Sequence, residues 1–446
     1  MTSSNSRIPS RIQLNRRLYY KFVPFKYRYS SVFNKYCNFL EKSTNWDLVK
    51  LKEYQNEEFL KLVKHCFQNV PYYQKLFSSH GITQKQIQTI EDINLIPTLN
   101  KDIIKKNFED LQAVNFKNIK KYSQSTSGST GDKLKFYVTD DVFKKEAAFI
   151  LRYYRNTGAN MYSQPSIWIR RYVPNNSSSP LWYYDYELKR LYMSAYHLNE
   201  NTAKSYIDVI NSLKASTLVT YPSSAYILAL LSKKYNLKFR YISQIRVASE
   251  KIYDKWVDEI YKVFQIRPLS HYGQIEKVSF MNQVHGDLDY HINLEYGVTE
   301  LEKKNGSSKI LGTGFLNYSM PFLRYETNDT AVVKKDKNQL RIKDIEGRSS
   351  DILFTESGSL VPGVNFFSWI DKNIKGISIF QIIQKKDKTI DFIYVPEQDF
   401  IVDEIFILKG LKQRLGNLPI NIIKKSQILR DKNIGKIRVI KNEIQI

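Results

Sequence analysis

The chain has 446 residues, enough for a large core and two or three domains, and its 42% apolar content, with 14% aromatic, is that of a globular protein and not of a disordered one. No apolar run approaches the ~20 residues of a membrane span, and Cys37 and Cys66 come with no CxxC or Cys/His cluster, so they read as reduced thiols in a cytoplasmic protein. The net charge of +24 is spread along the chain in lysine pairs such as Lys105-Lys106, Lys144-Lys145 and Lys233-Lys234; it fits either compositional bias or attraction to a polyanion such as an anionic membrane face.

Residues 1–45 read as a basic-aromatic arm. Arg7, Arg11, Arg16, Arg17, Lys21, Lys26 and Arg28 alternate with Tyr19, Tyr20, Phe22, Phe25 and Tyr27, a pattern that suits packing as an arm and also suits a membrane surface. Residues 1–20 have no apolar central segment, so no secretory signal is expected. From Trp46 to about Asn69, Leu48, Leu51, Tyr54, Phe59, Leu60, Leu62, Val63 and Phe67 recur at helical spacing. Val70-Pro-Tyr-Tyr breaks that pattern. Asn100 caps a second predicted helix, with Asp102 in its first turn.

Six small residues follow, Thr126, Ser127, Gly128, Ser129, Thr130 and Gly131, and then Asp132, Lys133 and Lys135. A backbone without bulky side chains can fold closely around a polyphosphate, with N–H groups and hydroxyls as donors. The β-rich run Leu134 to Val138 comes next, so the loop joins two strands. A Walker-type loop would open a helix instead. Asp140 to Gly158 reads as a helix and Ser166 to Arg170 as a strand. Residues 175–180 read as a surface loop. Helices are predicted over Glu200–Leu213, Ser224–Lys234 and Ile252–Phe264, interleaved with strands at Thr217–Pro222, within Phe239–Ala248 and at Arg267–Gly273. This alternation predicts a parallel α/β layer. After about residue 285, β-like segments at His291–Glu302, Lys309–Gly312, Thr330–Val333 and Gln339–Ile342 predict a smaller antiparallel subdomain. Ile345 to Asp351 reads as a linker. The remainder reads as a small α+β unit with strands Ile379–Ile383 and Thr389–Val395, a helix Val402–Leu415 and a strand Ile437–Ile440.

Several further motifs carry chemistry. His271-Tyr-Gly-Gln-Ile-Glu276 sets an aromatic ring, a glycine and a carboxylate after a strand. Arg324-Tyr-Glu-Thr-Asn-Asp329 ends a β segment with an acid, and a lysine follows a glycine at Gly435-Lys436. Taken singly, each also fits a structural role: Tyr272 in the core, Asp329 in a turn, Lys436 as a solvated charge. In this order, TSGSTG at 126–131, ASE at 248–250, YGQIE at 272–276, RYETND at 324–329, GRSSDIL at 347–353, GVNFFS at 363–368 and GKIRV at 435–439 resemble the adenylate-forming superfamily of acyl-CoA and aryl-CoA synthetases. The chain is most similar to the phenylacetate–CoA ligase group, especially its CapK-like branch associated with capsular polysaccharide biosynthesis. The resemblance covers about residues 46–446.

The resemblance implies an α/β fold: a large adenylation domain of several subdomains over 46–347, and a small mobile α+β lid over 348–446. The implied activity is ATP-dependent activation of a small-molecule carboxylate, followed by transfer to a thiol or amine, with coenzyme A as a candidate second substrate. Thr126, Ser127, Gly128, Ser129, Thr130 and Gly131 would cradle the phosphates. Tyr272 would stack on adenine, with Ser249 and Glu250 closing that pocket. Glu276 would hold Mg²⁺, Asp329 the ribose and Arg348 the ribose or phosphate. Lys436 would neutralise developing charge from the lid. Trp168, Arg170, Tyr221 and Ser223 are candidates for the acid pocket; His271, His285 and His291 lack a metal pattern and are expected to be structural.

Three positions depart from the family pattern. Ile275 stands where a hydroxyl residue is usual, Ser350 with Asp351 beside it stands at the hinge, and Lys133 replaces a proline. They put phenylacetate in doubt as the substrate. Two other readings stay open: a nucleotidyl transferase that leaves AMP on its product, and a basic protein that binds nucleic acid or a membrane surface. The second rests on charge alone, so no nucleic-acid partner is expected. The expected location is cytoplasmic, with peripheral association at the inner membrane face as a further expectation.

Overall fold

The computed structural model describes residues 30–125, 134–159, 164–174, 179–249, 252–304, 307–336, 339–346, 352–363, 366, 369–370, 373–397, 400–428 and 439–444. Its first helix, α1 (Ser31–Ser43), is capped by the Ser30 hydroxyl and buries Phe33 and Leu40. Most of the stretch read from sequence as the end of an arm is therefore an integral helix. Tyr36 packs on Phe149 at 5.7 Å between ring centroids, and the Ser43 hydroxyl donates to Glu295 at 2.7 Å. The segment read as the arm's basic-aromatic face, 7–28, lies outside the described residues.

Helix α2 (Leu48–Asn69) starts at the Asp47 cap, and α3 (Pro71–Ser79) opens on a proline whose missing N–H costs nothing at that position. Asn100 caps α4 (Lys101–Lys106) by accepting from the Ile103 N–H. Strands β1 (Lys121–Ser125) and β2 (Lys135–Thr139) form an antiparallel ribbon, and α5 (Asp140–Asn156) follows directly. Phe136 and Val138 of β2, with Phe149 of α5, are fully buried in the first core, alongside Phe59 and Leu62 of α2.

The large sheet comprises β3 (Ser166–Arg170), β4 (Trp182–Asp185), β5 (Arg190–Ser194), β6 (Thr217–Thr220), β7 (Gln244–Val247), β8 (Leu269–Gly273), β9 (Phe280–Val284), β10 (Asp287–Ile292), β11 (Gly297–Lys304), β12 (Ser307–Gly314), β13 (Tyr325–Asp336) and β14 (Gln339–Glu346). Their order is 11-12-13-14-10-9-8-7-6-3-5-4. Strands β5, β3, β6, β7 and β8 are parallel neighbours. They are linked through α6 (Ala203–Leu213), α7 (Pro222–Lys234) and α8 (Asp254–Phe264), whose apolar faces build a second core with Leu218, Ile245 and Val247. Thr217 to Thr220 is buried at every position, as a strand covered on both faces must be. The antiparallel part differs from expectation. It is no separate unit, because β9 pairs with β8 and β10 pairs with β14, so the hydrogen bonding runs on without a break.

The small C-terminal domain orders its strands β19-β18-β17-β20. Its elements are β15 (Ile352–Phe354), β16 (Leu360–Pro362), β17 (Ile377–Gln384), β18 (Ile390–Pro396), α9 (Glu404–Leu415), β19 (Ile420–Lys424) and β20 (Ile440–Asn442). Strand β19, absent from the sequence reading, pairs parallel with β18. The ribbon β15–β16 has one face in each core. Ile352, Phe354 and Leu360 pack with the large domain's helices, whereas Leu353 and Val361 pack with Phe380 and Leu411 of the small domain. Period-two alternation makes this double role available to a single ribbon. The Ser359 hydroxyl donates to the Leu198 carbonyl at 2.6 Å and Asn199 donates to the Ser357 hydroxyl at 3.0 Å, fastening the ribbon to the large domain. Arg414 of α9 lies over Trp369 at 4.2 Å and reaches Tyr196 of the large domain at 6.0 Å.

Candidate active site

Parallel strands that share one direction deliver their carboxyl ends to one edge, where open α/β sheets bind ligands. Here that edge carries Arg170 at the end of β3, Tyr221 just past β6, Ser249 just past β7, and Tyr272 near the end of β8. The Tyr272 hydroxyl donates to Asp329 Oδ2 at 2.7 Å. Burial, then the charge and bond of Asp329, push the Tyr272 phenol far up, so it stays a donor. Four residues after Tyr272 and four before Asp329, the Tyr325 hydroxyl donates to Glu276 Oε1 at 2.9 Å. Tyr325 is fully buried and Glu276 is 7% exposed. The two bonds thus join the β8–β9 turn to β13 in antiparallel sense. They hold the segment of Tyr272 and Glu276 against β13, which carries Asp329 57 residues beyond Tyr272.

The supporting backbone is unusual. Of nine described non-glycine residues with positive φ, four flank the site: Ser249 (77°), Lys277 (60°), Arg324 (50°) and Asn328 (63°). Left-handed backbone costs an L residue energy, so it persists only where packing imposes it. Constraints are visible at or beside three of them. Lys277 forms an ion pair with Glu146 of α5 at 2.7 Å. Arg324 is held by Glu300 and by the Ile96 carbonyl at 2.8 Å. The Asp329 N–H donates to the Thr327 hydroxyl at 3.2 Å.

The turn that carries Glu276 also lies flat on glycines. A Cβ on Gly314 would come 2.0 Å from the Lys277 carbonyl oxygen, and one on Gly312 would come 2.7 Å from the Val278 side chain. Gly312, Gly314, Lys277 and Glu146 shape the site, and none of them is among the site residues expected from sequence. The signal for them was the pair of glycines inside a strand pattern, which marks close backbone approach.

Of the residues expected to line the acid pocket, Arg170 places its guanidinium over the Tyr221 ring at 4.6 Å, and Ser223 is fully buried. Trp168 is tied up structurally: its indole N–H donates to the Ser166 hydroxyl at 3.1 Å and Arg190 covers its ring at 4.2 Å. His285 bonds the Thr157 carbonyl and His291 pairs with Asp287. Thr126, Ser127, Gly128, Ser129, Thr130, Gly131, Glu250, Arg348 and Lys436 lie outside the described residues. The ends of β1 and β2, where Ser125 faces Lys135, bracket the glycine-rich segment. Among the described residues no group of three or more His, Cys, Asp or Glu could hold a metal. A cation here would therefore rest on few protein oxygens. Glu276 suits that role: it is a hard oxygen donor whose Oε1 is fixed by Tyr325, and Mg²⁺ is commonly held by one or two carboxylates plus substrate phosphates.

No family model matches the chain. It is 27% identical over 381 residues to the protein CapK of Staphylococcus aureus, covering 83% of this chain and 82% of that one. Its fold is similar to that of 2-hydroxyisobutyryl-CoA ligase. The TM-score is 0.56 at 14% identity, over 89% of this chain and 91% of that one, for the complex with 2-HIB-AMP and CoA in the thioesterification state. It is 0.53 at 13% identity, over 89% and 90%, for the postadenylation state with R3-HIB-AMP. The chain thus has the expected α/β architecture, a large N-terminal domain and a small C-terminal sheet. Among the described residues no helix is long and apolar enough to cross a membrane.

Proposed function

We propose that this enzyme joins a small-molecule carboxylate to the α-phosphate of ATP and then passes the acyl group to a thiol or amine. The observation that carries this reading is the bond from Tyr272 to Asp329, which sets an aromatic ring beside an acid at the carboxyl edge of the parallel sheet. The ring takes the adenine face, and Asp329 accepts from the ribose hydroxyls through its remaining lone pairs.

In the first step the substrate carboxylate oxygen attacks the α-phosphorus and the bond to the β-phosphate oxygen breaks, releasing pyrophosphate. Negative charge spreads over phosphate oxygens, so the step needs fixed donors and cations more than covalent help. Thr126, Ser127, Gly128, Ser129, Thr130 and Gly131 supply those donors in this reading, with Arg348 at the ribose or phosphate, Lys436 neutralising charge, and Ser249 and Glu250 closing the adenine pocket. Glu276 would hold Mg²⁺, which when bound offsets phosphate charge. In the second step the thiol or amine attacks the acyl carbonyl and AMP departs.

We take the lid to begin near residue 348 and to carry Lys436 in and out. Its rotation must part the Arg414–Tyr196 contact and the Ser359–Leu198 bond. CoA is bound by 2-hydroxyisobutyryl-CoA ligase and is the first acceptor to try here. CapK suggests capsular or other surface polysaccharide synthesis as the setting, and the basic charge suits peripheral attachment to an anionic inner membrane face.

ATP–pyrophosphate exchange across a carboxylate panel tests the reading. Exchange that depends on an added acid is the expected result. AMP left stably on an isolated product would favour a nucleotidyl transferase instead. Salt-sensitive DNA binding without nucleotide binding would leave a basic binding protein.

A further inference from the structure

The acid side of the cleft is charged in a way that an apolar substrate would not satisfy. Arg170 ends β3 level with Tyr221, since Ile169 pairs with Thr220 of β6. Its guanidinium lies over that tyrosine ring, yet its Nε is buried with no hydrogen-bond partner. Among the described residues no carboxylate forms an ion pair with it. His271 on β8 is packed against the Tyr153 ring at 5.2 Å, and its Nδ1 is buried and unpartnered. The Tyr153 hydroxyl and the Ser224 hydroxyl, the latter in the first turn of α7, are likewise buried without partners. An unmet buried donor is costly, and Arg170 presents one at the carboxyl edge of the parallel sheet. A substrate with a hydrocarbon tail would leave that cost in place, whereas an anion would remove it.

Position decides which anion. The reacting carboxylate has to meet the α-phosphate beside Tyr272 and Asp329. Successive residues of a strand point to opposite sides, so His271 turns away from the Tyr272 side, toward Tyr153 and Arg170. Strand β3 lies three strands from β8, about 14 Å away at the usual strand spacing, so Arg170 reads the end of the acid remote from the reaction.

We propose that Arg170 is a specificity-determining residue, receiving a second anionic group on the acid that the enzyme activates. This rests on the ligase reading above. The substrate class is then a dicarboxylic acid or a phosphorylated acid, not an aryl or alkyl monoacid.

The test is ATP–pyrophosphate exchange by the full chain on matched acids: butanoate against butanedioate, hexanoate against hexanedioate, and glycerate against 3-phosphoglycerate. The second pair member is expected to be favoured at least tenfold in kcat/KM in one or more pairs, since a charge-assisted hydrogen bond is worth about that much. The pair that responds tells carboxylate from phosphate. Arg170→Met should abolish the preference by raising KM for the dianion at least tenfold, with KM for ATP unchanged. Arg170→Lys, which keeps the charge and folds if the larger change does not, should retain part of the preference. Exchange with monoacids as good as with their charged partners, or a preference that survives both substitutions, overturns the role of Arg170 and leaves the ligase standing. Exchange with none of the acids counts against the ligase itself, and the inference falls with it.

Discussion

Gly314→Ala adds one methyl group at the point where the sheet touches the turn that carries Glu276. The new Cβ falls 2.0 Å from the Lys277 carbonyl oxygen and 3.0 Å from Val278 Cα, against the 3.4 Å at which ordinary contact begins. Both obstacles are backbone, so no side chain can swing aside. The turn has to retreat by about an ångström, and it is tethered by the Lys277–Glu146 ion pair and by the bond from Tyr325 to Glu276. Overpacking of this kind costs about 1–3 kcal/mol of stability. Moving a positioned group by about 1 Å costs roughly a hundredfold in rate. Thermal denaturation should show a lower melting temperature, and ATP–pyrophosphate exchange at saturating acid should fall by about two orders of magnitude. A variant that melts and exchanges like the wild type would refute the idea that this contact positions Glu276.

Tyr272→Phe keeps the ring and removes the donor to Asp329, so KM for ATP should rise about tenfold with a smaller change in kcat; calorimetric titration with ATP checks the binding half of that claim. Glu276→Gln should raise the Mg²⁺ concentration needed for half-maximal exchange, and a wild-type magnesium titration would count against that carboxylate as the site. Lys436→Ala should cripple adenylation while ATP binding persists; unchanged exchange would remove Lys436 from the mechanism. Burial first, and Arg170 second, push His271 from 6.5 down to about 4. The unfolded chain takes up that proton first, so stability is fullest above pH 6.5 and is lost as the pH falls toward 4. Urea unfolding between pH 7 and 4 should show this slope, flattened in His271→Asn.

Local rules carried much of the fold. Asn100 as a helix cap, the helix from Asp140, the strand–helix alternation from Ser166 to Gly273 and the ribbon flanking the glycine-rich segment all follow from spacing, caps and turn residues within a few positions of each other. Three features escaped. Ser31–Ser43 is a helix because its apolar face meets α5, a partner more than a hundred residues away. The β9–β14 strands join the parallel sheet because β8 accepts a neighbour on its open edge. The β15–β16 ribbon belongs to two cores at once. No local pattern encodes any of these pairings.

The site divides in the same way. The amino-acid sequence by itself determined which residue types could serve: a ring at Tyr272, acids at Glu276 and Asp329, small residues around Gly128, an ammonium at Lys436. Only the tertiary structure decided that the Tyr272 hydroxyl grips Asp329, that Gly314 gives way to the Lys277 backbone, and that Arg170 lies over Tyr221 with a buried N–H unmet. The physical reason is range. Propensity and periodicity act over a few residues, whereas a contact between segments dozens to hundreds of residues apart exists only once the sheet has fixed which strand ends lie side by side.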